Sequence, residues 1–142
     1  MSIEEAIYKR VKDNASIDDI VDGRIFPHHI PQSNNDYPLI TYQLISNVHD
    51  HHLGGASGIT VARIQFDCWG LSMAHAVGVA EKVRNLLQGF MGDLNNIKIH
   101  FISLIDERSF SEAPVDASDI WLFRKSVDYQ IKYQEPLPDS LT

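Results

Sequence analysis

No stretch restricts the fold of this chain as tightly as residues 59–89, ITVARIQFDCWGLSMAHAVGVAEKVRNLLQG, where the apolar period changes abruptly. Over residues 59–69, Thr60, Ala62, Ile64, Phe66 and Cys68 alternate with Arg63, Gln65 and Asp67, the two-residue period of a strand with one dry and one wet face. Gly70 ends that pattern. From Ser72, a candidate N-cap, Met73, Val77, Ala80, Val83, Leu87 and Phe90 recur at three- and four-residue steps. Ala76, Val79 and Leu86 widen this stripe, while His75, Glu81, Lys82 and Asn85 lie opposite. A strand, a tight turn and an amphipathic helix must therefore pack with their dry sides together.

The other elements are arranged around this unit. Ser2 and Glu5 have capping-box spacing, and Ile3, Ala6, Ile7 and Val11 share a side, so residues 2–13 read as a helix. Residues 24–27, Arg-Ile-Phe-Pro, allow no more than an edge strand that Pro27 stops. Alternation resumes over 39–48. The glycine-bearing stretch HDHHLGGASG then reads as a projecting loop of about ten residues, beyond the usual length of a hairpin turn. A third strand is expected over 97–105, a second long loop over 106–119 and a last strand over 120–133. In that last strand Trp121, Phe123, Val127, Tyr129, Ile131 and Tyr133 face one way, with Trp121 and Tyr129 read as core. Arg124, Ser126, Asp128, Gln130 and Lys132 face the other, and Lys125 breaks the pattern as if near an open edge.

The reading is a two-layer α+β fold: a mainly antiparallel four-stranded sheet with the N-terminal helix and the central helix packed on one face. Residues 1–134 form one domain and 135–142, rich in proline, a loose tail. Gln43, Arg63, Gln65, Asp67, Arg124, Asp128 and Gln130 are expected on the uncovered face.

Composition excludes several classes of function. A formal charge of -7 and a pI near 5.3, with no Lys/Arg stripe, argue against a protein that binds nucleic acid by neutralising phosphates. The lone Cys68 cannot form an internal disulfide, which fits a reducing compartment. The N-terminal residues carry acids and no apolar signal core, and no run approaches the ~18 apolar residues of a membrane span, so neither standard export nor membrane insertion is expected.

GRIFPHHIPQ, YPLITYQLIS, VARIQFDCWG, AEKVRNLLQG and the closing FRKSVDYQIKYQ together resemble the small tail-completion proteins of long-tailed bacteriophages, also called head-tail joining or tail-terminator proteins. Arg24, Ile25, Pro27, Pro38, Ile40, Thr41, Tyr42, Arg63, Gln65, Asp67 and Trp69 carry the likeness, which extends to about Tyr133. The resemblance implies a non-enzymatic virion protein without cofactor, assembled in the host cytoplasm. It would close into a ring, commonly a hexamer, on the tail tube protein and dock on the head connector protein, with DNA passing through without specific binding. The histidines of the first loop depart from the family pattern. An acidic balance suits a lumen that DNA must cross, because like charge disfavours phosphate binding.

Candidate interface residues are His49, Asp50, His51 and His52 of that loop and Arg63, Gln65, Asp67, Arg124 and Asp128 of the polar face. No catalytic grouping is recognisable, and Gly54, Gly55 and Gly58 precede a strand rather than the helix a phosphate-binding loop requires. His49, His51 and His52 are weak metal candidates: they lack the fixed spacing of a built site, and solvated histidines explain them as simply. His75 and His100 likewise read as surface residues. Two other classes compete with the virion reading. One is a small metal-dependent enzyme built on the loop histidines; the other is a non-viral binding or chaperone module on the same plan.

Overall fold

The computed structural model describes residues 2–32, 34, 36–52, 55–113 and 120–134, with the side chains of 50–52 and 55–57 left aside. The described chain runs α1 (Ile3–Lys12), α2 (Ala15–Val21), β1 (Ile25–Pro27), β2 (Leu39–His52), β3 (Gly55–Gly70), α3 (Met73–Leu87), β4 (Gly92–Leu94), β5 (Ile97–Glu112) and β6 (Leu122–Gln134). The strands form one sheet in the order β1-β2-β3-β6-β5-β4. β1 runs parallel to β2 and every other neighbouring pair is antiparallel. The expected four-stranded, mainly antiparallel two-layer sheet is thus replaced by a six-stranded mixed sheet that curls into a half-barrel and carries three helices. The two additional strands are three residues long, too short to show a period in sequence.

The strand-turn-helix unit folds as its periods require. Thr60, Ala62, Ile64, Phe66 and Cys68 are buried on one face of β3, against Ala76, Val79, Ala80, Val83 and Leu87 of α3 and against Val127, Tyr129, Ile131 and Tyr133 of β6. Burying each large side chain there contributes ~1.5–3 kcal/mol. Ser72 caps α3, its Oγ accepting the His75 N–H at 3.2 Å, and Ser2 caps α1 by accepting from the Glu5 N–H at 3.1 Å. The helix α2 is absent from the sequence reading. It has only seven residues, and its start depends on Asn14, whose Oδ1 accepts from the Ile17 N–H at 3.0 Å.

Gly70 joins β3 to α3 where there is no room for a side chain. A Cβ added there would stand 2.9 Å from the His75 Cβ and 3.0 Å from the Ala76 nitrogen. Because the obstacle is the first turn of α3, Gly70→Ala should destabilise the protein by ~1–3 kcal/mol, measured as a lowered urea midpoint with unchanged slope.

Both expected long loops are largely strand. β2 and β3 pair through His51↔Ala56 and His52↔Gly55, so 49–52 and 55–58 belong to a two-stranded arm rather than to a ten-residue loop. Among the described residues β6 pairs with β3 as far as Ile59↔Gln134, and the β2–β3 ladder extends beyond that pair. Past that point the ladder continues while the apolar alternation that marks a strand stops. Similarly, β5 continues to Glu112, while 114–119 lie outside the described residues. Residues 135–142, expected as a loose tail, also lie outside them.

β-bulges account for further departures. Register shifts between Ile99 and Phe101, and between Leu104 and Asp106, change which face the β5 side chains take. Ile97, Ile99 and Ile102 are therefore buried, whereas Phe101 and Ile105 are exposed. Trp121, expected in the core, is 50% exposed, because it precedes the start of β6 and has no strand register to turn it inward. Lys125 is not near an edge either: β6 lies between β3 and β5, and Lys125 pairs with both Cys68 and Ser109.

Candidate functional site

The sheet face away from the helices carries most of the candidate residues, and it is less open than expected. Alternation along β3 and β6 places Gln65 opposite Asp128 and Asp67 opposite Ser126, while β5 adds Asp106 opposite Asp128 and Arg108 opposite Ser126. Asp128 lies on the central strand between two guanidinium groups. Its Oδ2 accepts from Arg63 Nε at 3.0 Å and Nη2 at 2.6 Å, and its Oδ1 accepts from Arg108 Nη2 at 3.0 Å. Arg108 also donates to Asp106 at 2.8 Å, Gln65 at 3.3 Å and Ser126 at 3.2 Å.

Two arginines and two aspartates thus cancel in charge across β3, β6 and β5. The side chain of Asp128 is only 2% exposed, yet Arg63 and Arg108 remain more than a third exposed. A carboxylate removed from water is stable here because charged donors replace its hydration. Asp67 is also buried, with both oxygens 3.2 Å from the Gln65 amide, and Thr41 accepts from Trp69 Nε1 at 3.0 Å. This face is a bonded network whose arginines are its wet surface.

Toward the Gly70 end of the sheet the network gives way to an aromatic clamp. The Arg124 guanidinium carbon sits 5.1 Å from the Trp69 ring centre and 4.4 Å from that of Phe110, with Nη2 3.5 Å from Glu112. These cation–π contacts hold Arg124 across three strands. Leu71, Phe110, Ile120 and Trp121 are exposed at this end.

Arg63, Gln65, Asp67, Arg124 and Asp128 therefore share one face, with Arg63 bonded directly to Asp128, Gln65 to Asp67, and Arg108 bridging Gln65 and Asp128. Arg108 and Phe110 went unrecognised because they fell within the expected loop. The signal present in sequence was the i, i+2 spacing of Asp106, Arg108 and Phe110, which continues a strand. Beneath the network, burial pushes the Cys68 thiol well above its ordinary range, with Asp67 adding to the effect, so it is a poor nucleophile.

The solved structures contain a counterpart. A chain in a structure described as the virion of a native gene transfer agent (GTA) particle matches with a TM-score of 0.74, covering 94% of this chain and 96% of that one at 13% sequence identity. This chain shares that fold. No family model and no curated protein matches the sequence.

The histidines lie elsewhere. His49 is exposed near the arm, its Nδ1 3.0 Å from Thr60 Oγ1 across the β2–β3 ladder. The side chains of Asp50, His51 and His52 lie outside the described residues. Among the described residues no group of three or more His, Cys, Asp or Glu side chains is placed to hold a metal ion. His75 is exposed, as expected. His100 is not simply a surface residue: it is half-buried at the first β5 bulge, and its Nε2 is buried without a hydrogen-bond partner. No helix among the described residues is long and apolar enough to cross a membrane.

Proposed function

We propose that this protein is a structural component of a phage-type particle, completing the tail tube and joining it to the head connector as an oligomeric ring. The observation that carries the reading is the end-to-end fold match with a chain of a gene transfer agent virion, which covers nearly the whole of both chains. The sequence resemblance to tail-completion proteins supports it independently and supplies the position along the tail. In this reading the partners are further copies of the chain, the tail tube protein and the head connector protein, and the location is the virion.

The chemistry of the outer face suits such a role. The outer face presents arginine edges and an aromatic end to neighbours, features common at interface centres. Catalysis has no part in the proposal. Its test is genetic and visual: a particle-producing genome lacking this gene should yield, under the electron microscope, tails of uncontrolled length or heads without tails. Normal infectious particles from that deletion would overturn the reading.

A further inference from the structure

The two margins of the sheet are stepped, and the steps are complementary. On one margin β1 covers only Ile40–Tyr42 of β2, and beyond Tyr42, toward the arm, β2 has no further strand neighbour among the described residues. On the other, β4 covers only Ile97–Ile99, and β5 has no strand neighbour on that side from Asp106 to Glu112 among the described residues. Strand registers place these features at matching heights. Ile25, Phe26 and Pro27 are level, through β2, β3 and β6, with Ser109, Arg108 and Glu107 of β5. Gly92 of β4 is level with His49 of β2 through Ile99, Tyr133 and Thr60. Each margin therefore projects at the height where the other is recessed.

We propose that copies of this chain join side by side, the β1/β2 margin of one fitting the β4/β5 margin of the next. The occupant is a second copy because each step on one margin finds its recess on the other margin of the same molecule. Two different margins make a heterologous contact, the kind that generates rings. The proposal rests on the structural-component reading above and names the surfaces by which the ring would close.

Side chains on the margins fit this joint. Open strand edges are usually guarded by lysine, proline or inward charge, but QLISNVHDHH over 43–52 has no Lys, Arg or Pro and carries Asp50 as its one Asp or Glu. Instead Val48 is 63% exposed, and Met91, just before β4 and at the height of Val48, is 67% exposed. Ile105 and Phe110 are exposed along the β5 recess. Pro27 has no N–H to offer, so at that step the joint rests on side chains.

The test uses the full chain. Wild-type protein should self-associate by sedimentation up to millimolar concentration, and Val48→Glu or Met91→Glu should each weaken this on the order of tenfold to a hundredfold. Mixing the two variants should restore a dimer and nothing larger, because one intact margin of each remains. Separately, a mixture of Val48→Cys and Met91→Cys chains should form a mixed disulfide on oxidation, while each variant alone stays unlinked. Absence of both self-association and the mixed disulfide would overturn the proposal. Self-association unchanged in both glutamate variants would also overturn it, while leaving the structural-component reading standing. Failure of the gene-deletion test would instead remove that reading and leave the joint intact.

Discussion

Replacing Asp128 with alanine should lower stability by about 2–3 kcal/mol, below the ~3–5 kcal/mol typical of breaking a fully buried pair. The carboxylate is almost wholly buried, whereas its partners Arg63 and Arg108 are partly solvated and recover hydration once it is gone. For a chain of this length the loss corresponds to a melting temperature lower by about 6–12 °C. The triple replacement Arg63→Met, Asp128→Leu, Arg108→Met removes the buried carboxylate with both its guanidinium partners, leaving only the solvated Asp106, and should cost less than the single change, since no guanidinium is left without its buried acceptor. Calorimetry on both proteins distinguishes the cases. A triple variant less stable than Asp128→Ala would mean that the network's net contribution is larger than desolvation allows.

Phe66→Ala should have the largest effect of any single truncation, about 3–5 kcal/mol. Phe66 is fully buried at the middle of an aromatic row: its ring centre lies 6.2 Å from that of Tyr42 and 5.9 Å, edge-on, from that of Tyr129, and Tyr42 stacks on Tyr8 at 5.3 Å. The row links α1, β2, β3 and β6, so a cavity there loosens a helix as well as the sheet. Phe66→Asp should prevent folding, because no charged donor is placed to receive the carboxylate. Denaturant unfolding of the alanine variant and solubility of the aspartate variant are the measurements. A Phe66→Asp protein as soluble and heat-stable as the wild type would contradict the packing described above.

Legibility followed burial. Where a strand had one face in the core, as over 60–68 and 127–133, the two-residue period reported the face of each residue correctly, and Ser72 and Ser2 were identifiable as caps. Past the last buried positions of these strands the period vanishes although the ladder continues, so the sequence around the arm residues 49–52 and 55–58 and over the β5 extension 106–112 reads as loop. Arg108 was lost with them. The candidate face is therefore half visible: Arg63, Gln65, Asp67, Arg124 and Asp128 can be assigned to one side, but Arg108 and Phe110, which bind Asp128 and Arg124, lie in a β5 extension marked in sequence only by a short i, i+2 spacing.

The sequence by itself determined the dry and wet sides of the central strands, the helix that covers them, the single thiol's place in the core and the absence of a nucleic-acid-binding charge pattern. Those properties are local, set by the spacing of apolar side chains along one segment. Only the tertiary structure decided that the sheet has six strands of mixed direction, that Asp128 meets arginines from two different neighbours, and that the sheet margins are stepped. Each depends on register between segments far apart in the chain, and a one-residue bulge, unmarked in composition, is enough to change which side chains meet.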